Sequence, residues 1–157
     1  MQQLIFLFVS FFFAIYLSLI PLPESLANFK PQWFVLTFIY WNIAIPHRIG
    51  VLLTVGLGLL LDILEGSILG RHAIALLIVH LICAFGYQRF RVFTNFQQCF
   101  LIFAVIGIYL VIFYWFGTLF NNTEKSIAFL GSAFSSAILW PVVLFFLRFF
   151  RRKYKIE

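Results

Sequence analysis

Charge is scarce in this chain. Five acidic and eleven basic side chains make up 10% of 157 residues, while 64% are hydrophobic. A soluble domain carries about 25% charged and about 45–50% apolar residues, and so few ionic groups cannot coat a core of this size with a hydrated shell. A water-soluble globule is therefore excluded, and lipid is the solvent that suits most of the surface. Cysteine is scarce too. Cys83 and Cys99 lie in or beside apolar runs, with no ligand spacing around them, and read as small hydrophobes. A disulfide framework and a metal site have nothing to build on. The sequence also lacks a phosphate loop, a Ser/His/Asp or Cys/His pairing, paired carboxylates and an HExxH helix. These gaps speak against an enzyme and against any cofactor. A formal charge of +6 raises nucleic acid as a partner. The basic residues, however, stand at the ends of apolar runs rather than in a polar domain, so membrane topology accounts for them and no nucleic-acid partner is expected.

What is present is a series of apolar runs, which predicts an all-α integral membrane protein of about six transmembrane helices. Six crossings of about 20 residues would take roughly 120 and leave only short loops. The expected spans are residues 4–22, 32–46, 49–65, 72–88, 98–120 and 127–148, forming one polytopic domain over 1–157. The first run competes with a signal peptide, since Ser25-Leu26-Ala27 offers small residues at a cleavage-like spacing. It reads instead as a retained helix, because Met1-Gln2-Gln3 has no basic side chain and the run exceeds a typical signal core. Pro21 and Pro23 end it. The three middle runs are short, covering roughly 20 to 24 Å at 1.5 Å per residue. They must borrow flanking residues or cross thin bilayer, and the brief Pro46-His47-Arg48 link leaves a re-entrant second segment open. With both termini cytoplasmic, the inner side receives Arg48, Arg89, Arg91, Arg148, Arg151, Arg152, Lys153 and Lys155, and the outer side only Lys30, Arg71 and Lys125. This is the positive-inside bias of a multi-pass protein. Trp33 and Trp41, near the two ends of the second run, suit interfacial belts.

Asp62 is the most informative charge, because a carboxylate at the bilayer centre costs about 2.5 to 3.5 kcal/mol on insertion scales. It opens the turn Asp62-Ile63-Leu64-Glu65-Gly66-Ser67-Ile68-Leu69-Gly70-Arg71-His72, where Arg71 or backbone donors could satisfy it. A structural anchor is one reading, and a proton or substrate site the other. Gly66 and Gly70 have G-x-x-x-G spacing, but at a turn conformational freedom is the better reason for them than dimerisation. Gly56 and Gly58 thin the third helix, and Ala128, Ser132 and Ser135 mark a close approach on the sixth. Trp140-Pro141 predicts a kink there. His80 is expected to hydrogen-bond a neighbouring helix, and His47 and His72 to be solvated or interfacial. The basic tail of Arg148, Arg151, Arg152, Lys153 and Lys155 sets topology, pins that end to an anionic leaflet or meets an acidic cytoplasmic partner.

The order of several short features narrows the reading. Lys30-Pro31-Gln32-Trp33 opens the second helix, Tyr40-Trp41 and Pro46-His47-Arg48 close it, and a D-x-x-x-G-S-x-L-G turn runs from Asp62 to Gly70. Leu139-Trp140-Pro141 and the basic tail end the chain. In this order and spacing the chain, from Lys30 onward, resembles the MreD family of rod shape-determining proteins in its gamma-proteobacterial form. The resemblance implies a non-enzymatic scaffold of the bacterial inner membrane that binds the bitopic protein MreC. It also implies action with MreB, RodA and the elongation-specific penicillin-binding transpeptidase to position peptidoglycan synthesis, and a fold like the six-helix substrate-binding subunits of energy-coupling-factor transporters. It carries no catalytic residue. Pro46, Arg48, Asp62, Gly66, Gly70 and Arg71 come over as structural or partner-interface positions. The competing function is a small-molecule-binding subunit of an uptake transporter, with a ligand near Asp62, Arg71 and His80. A proton-coupled channel would need a relay of acids beyond Asp62.

Overall fold

The computed structural model describes residues 2–21, 23, 29–119 and 129–153. The expectations placed on residues 25–27, Lys125, Ala128 and Lys155 lie outside the described residues. Within them the chain forms six α-helices and no strand: α1 (Gln2–Leu19), α2 (Trp33–Ala44), α3 (Val51–Glu65), α4 (Arg71–Val92), α5 (Asn95–Leu119) and α6 (Phe129–Lys153). The helices α4 to α6 outrun the apolar runs that predicted them. In α6 the helix continues past residue 148 into the basic tail, because arginine and lysine are good helix formers and their charge suits a helix C-terminus. It also continues through Pro141.

The centre of the bundle is the shortest helix. Along α2 every side chain from Phe34 to Asn42 is buried, as befits a helix that is apolar on all sides. Helices α1, α4 and α6 pack on it, α5 lies between α4 and α6, and α3 pairs with α4. Leu76, Val79, Ile102, Ile106, Tyr109 and Trp140 complete the core around Phe38, Ile39 and Trp41. Trp41 is thus not interfacial. It is fully buried because α1 covers it: its indole N–H donates to Ser10 Oγ at 2.8 Å, and Phe6 meets its ring edge-on at 6.0 Å.

Outside, the bundle is apolar. Leu52, Phe85 and Phe96 are 87%, 89% and 86% exposed, and many other large hydrophobic side chains join them. In water such a surface would aggregate. Three helical segments, Arg71–Phe90, Asn95–Leu119 and Leu130–Lys153, are long and apolar enough to cross a membrane. By contrast α2, with 12 residues, and α3, with 15, reach only about 18 and 22 Å, short of the roughly 30 Å of hydrocarbon.

A helix end in apolar surroundings leaves backbone groups that the protein must satisfy, and side chains of neighbouring helices do this for α2 and α4. Before α2, Gln32 N–H donates to Ser136 Oγ at 2.9 Å, Gln32 Nε2 to Ser132 Oγ at 3.2 Å, and Ser132 Oγ to the carbonyl of Lys30. Ser132 therefore marks a close approach as expected, but its partner on α6 is Ser136; Ser135 bonds back to the carbonyl of Ser132 within its own helix. At the other end of the bundle, Gln98 Nε2 donates to the carbonyls of Phe90 and Phe93, closing α4, while Gln98 Oε1 accepts from Trp140 Nε1 at 3.3 Å. His80 is bonded to a neighbouring helix, with Nδ1 2.6 Å from Asn42 Oδ1.

Candidate functional site

Helix α4 starts without a cap of its own. Its first turn holds no acidic residue, and the residue before it, Gly70, has no side chain to offer. The missing acceptor comes from the preceding helix. Asp62, fully buried one turn before the end of α3, accepts from Gly70 N–H at 2.8 Å through Oδ2, and from His72 N–H at 2.9 Å through Oδ1. These are among the N–H groups a helix start leaves unpaired, and a carboxylate there also suits the positive end of the helix dipole. The backbone of the same residue closes its own helix. Ser67 N–H reaches the Asp62 carbonyl at 2.9 Å and Gly66 N–H reaches that of Ile63 at 3.4 Å, the paired bonds of a Schellman turn. Asp62 thus ends α3 with its carbonyl and begins α4 with its side chain.

Around it the polar groups interlock. Ser67 Oγ donates to Asp62 Oδ1 at 2.7 Å, and His72 Nδ1 lies 2.9 Å from the same oxygen. His72 Nε2 is 3.3 Å from Glu65 Oε2, so both ring nitrogens face carboxylate oxygens. Phe113 of α5 packs against the imidazole at 4.6 Å between centroids. His72 is accordingly buried, against the expectation of a solvated or interfacial loop histidine, because α4 begins at Arg71 and turns His72 inward onto the carboxylate. Arg71 does not pair with Asp62. The carboxylate is already filled by the turn, and Arg71 points to α5, where Nε donates to the Phe113 carbonyl at 2.8 Å and the guanidinium lies 3.6 Å above the Phe113 ring. Gly117 makes room for it: a Cβ there would stand 2.7 Å from an Arg71 terminal nitrogen.

Gly66 and Gly70 take φ of +63° and +98°, so conformational freedom is indeed their reason. Gly70 has open space around it, so Gly70→Ala should lose only the left-handed strain, about 1–2 kcal/mol. In detergent this should appear as an unfolding midpoint lowered by roughly 2–8 °C. Gly107→Ala on α5, with open space and an ordinary helical backbone, should leave the midpoint unchanged or slightly higher; equal loss in both would remove the strain argument.

The other expected positions lie apart from this turn. Pro46 is half-buried and Arg48 exposed at the opposite end of α3. Arg148, itself exposed, and the half-buried Arg151 line a cavity of about 240 Å³ at that same end; Arg152 and Lys153 are exposed and do not line it. Sequence reasoning passed over Glu65, Ser67, His72 and Gly117 as members of the site. The turn from Asp62 to His72 was legible, but a ten-residue separation does not tell which side chains of the turn face the carboxylate.

Comparison with known proteins agrees with the order of motifs. The family model described as rod shape-determining protein MreD matches residues 1–150. The rod shape-determining protein MreD of Haemophilus influenzae is 37% identical over 154 residues, covering 97% of this chain and 94% of that protein. No solved structure matches, so the likeness to energy-coupling-factor subunits finds no support there. A match over nearly the full length of both chains leaves no part of the bundle outside the comparison, and the chain belongs to the MreD family of rod shape-determining proteins.

Proposed function

We propose that this chain is a non-enzymatic, multi-pass scaffold of the bacterial inner membrane that binds MreC and helps position peptidoglycan synthesis, alongside MreB, RodA and the elongation-specific transpeptidase. Family membership supports the role in rod shape. The observation that carries the mode of action is the contrast between interior and surface. Inside, Asp62, His72, His80, Asn42 and Gln98 are engaged with protein groups. Outside, the helices present apolar side chains, so recognition falls to packing within the bilayer. The distribution of charge supports cytoplasmic termini. Arg48, Arg89, Arg148, Arg151, Arg152 and Lys153 gather at one end, and Lys30 and Arg71 at the end that holds Asp62 and Glu65. The likeness to the substrate-binding subunits of energy-coupling-factor transporters rests on the family resemblance alone. The uptake reading placed a ligand near Asp62, Arg71 and His80, but each is bonded to a protein group and none lines the 240 Å³ cavity.

Affinity purification from native membranes in mild detergent, with mass spectrometry of co-purifying proteins, tests the proposal. Recovery of a bitopic coiled-coil protein together with wall-synthesis enzymes is expected. Recovery of ATP-hydrolysing transporter subunits in their place would overturn it in favour of uptake.

A further inference from the structure

At the end of the bundle opposite Asp62, the cavity of about 240 Å³ is walled by Tyr40, Gln98, Trp140, Leu144, Arg148 and Arg151, among others. Three observations meet there. Arg148 and Arg151 stand three residues apart on α6 and so share one face of it. Among the described residues the only ion pairs are those of His72, and no carboxylate of a described residue pairs with either guanidinium. Tyr40 is 94% buried, and its hydroxyl is the one buried side-chain polar atom, among the described residues, without a hydrogen-bond partner. Folded proteins seldom leave such a group unmet. Two cations side by side and an unmet hydroxyl ask for one small anion with several acceptor oxygens. Guanidinium groups bind phosphate through paired N–H donors.

We infer that this cavity binds the phosphate of an anionic phospholipid from the leaflet at that end of the bundle, with Arg148 and Arg151 on the phosphate oxygens and Tyr40 donating to one of them. The volume is below the roughly 300–1,000 Å³ of a complete small-molecule pocket and suits a headgroup whose chains remain outside. Leu144 and Ile43 make part of the wall apolar, and Phe145 and Phe149, 69% and 57% exposed, flank the arginines on α6. A lipid presents its phosphate beside hydrocarbon, as this surface requires, whereas free phosphate has no use for the flanking phenylalanines. The inference rests on the reading that these helices lie in a bilayer. It divides the basic tail in two: Arg148 and Arg151 face the cavity, and Arg152 and Lys153 serve only general attraction to the membrane surface.

Native mass spectrometry of the full chain, titrated in detergent with phosphatidylglycerol, phosphatidylcholine or inorganic phosphate, tests this. One phosphatidylglycerol per chain is expected, in preference to phosphatidylcholine. Arg148→Gln with Arg151→Gln should weaken its binding at least tenfold, Tyr40→Phe about threefold to tenfold, and Arg152→Gln with Lys153→Gln less than twofold. Tyr40→Phe is nearly isosteric and keeps the test valid should the double arginine variant fold poorly. Equal weakening by the two charge-matched pairs would overturn the site in favour of diffuse attraction. Inorganic phosphate binding as tightly as the lipid would assign the cavity to a free ion. An acidic peptide that binds it while phosphatidylglycerol does not would assign it to a protein partner. Failure of the scaffold reading is seen separately, as loss of MreC recovery from membranes with phosphatidylglycerol binding intact.

Discussion

Asp62→Leu should produce the largest loss of stability of any single polar substitution in this protein. The carboxylate supplies the acceptors for two N–H groups at the start of α4, and for Ser67 Oγ and His72 Nδ1. Leucine offers none. Each buried N–H left unmet costs about 1–3 kcal/mol, and the charge at the helix start contributes about 0.3–1 kcal/mol more. The carboxylate's own desolvation, which leucine escapes, offsets part of this. A net loss of about 3–5 kcal/mol follows, or an unfolding midpoint lower by roughly 10 °C in detergent. Asp62→Asn retains a single acceptor oxygen and should fall about midway. A midpoint for Asp62→Leu within about 2 °C of the parent would show that the turn stands without the carboxylate. Under the proposed scaffold role, recovery of MreC and rod shape should decline with the fold. Unchanged recovery and shape in this variant would sink a role for Asp62 in the assembly.

Gly58→Ala is the second large effect, and it separates two glycines that look alike. A Cβ on Gly58 would stand 2.3 Å from Ala73 Cα, 2.7 Å from Ala73 N and 2.9 Å from Ala73 Cβ. Backbone cannot rotate aside, so α3 and α4 must part by roughly an ångström to restore ordinary contact. Overpacking of this kind typically costs about 1–3 kcal/mol. Here it goes further, because Asp62 lies one turn along the same face of α3 and Ala73 follows His72, so the parting lengthens the carboxylate's bonds as well. The expected loss is about 3–5 kcal/mol, close to that of Asp62→Leu. Gly56→Ala, with no atom within 4 Å of the added carbon, should be neutral or stabilising by up to about 1 kcal/mol. Unfolding midpoints of the two variants, measured together, check this; similar values for both would refute the close approach at Gly58.

Much of this was open to a reader of the sequence. Hydrophobic runs and scarce charge foretold an all-helical membrane protein. The turn-forming use of Gly66 and Gly70 followed from their place between two apolar helices, and His80 bonds a neighbouring helix as expected. Other positions were misread because their surroundings come from elsewhere in the chain. Trp41 resembles an interfacial anchor until α1 covers it. Ser132 and Ser135 both look like packing residues, but only the helix rotation brings Ser132 and Ser136 to the start of α2. Of the two donors offered for Asp62, Arg71 and the backbone of the turn, only the backbone meets it, and His72, expected to be solvated or interfacial, is buried.

By itself the amino-acid sequence determined the solvent of this protein, its helical class and the place where a buried carboxylate had to be met. Those follow from composition and from residues within a turn or two of each other, since hydrophobicity and backbone freedom are local properties. Tertiary structure alone decided which of the candidate donors meet Asp62, that α2 is the centre of the bundle, that a Cβ has room at Gly56 but not at Gly58, and that Tyr40, Arg148 and Arg151 share a cavity. Hydrogen bonds and steric contacts act over about 3 to 4 Å, and such distances between residues far apart in the chain exist only once the helices have packed.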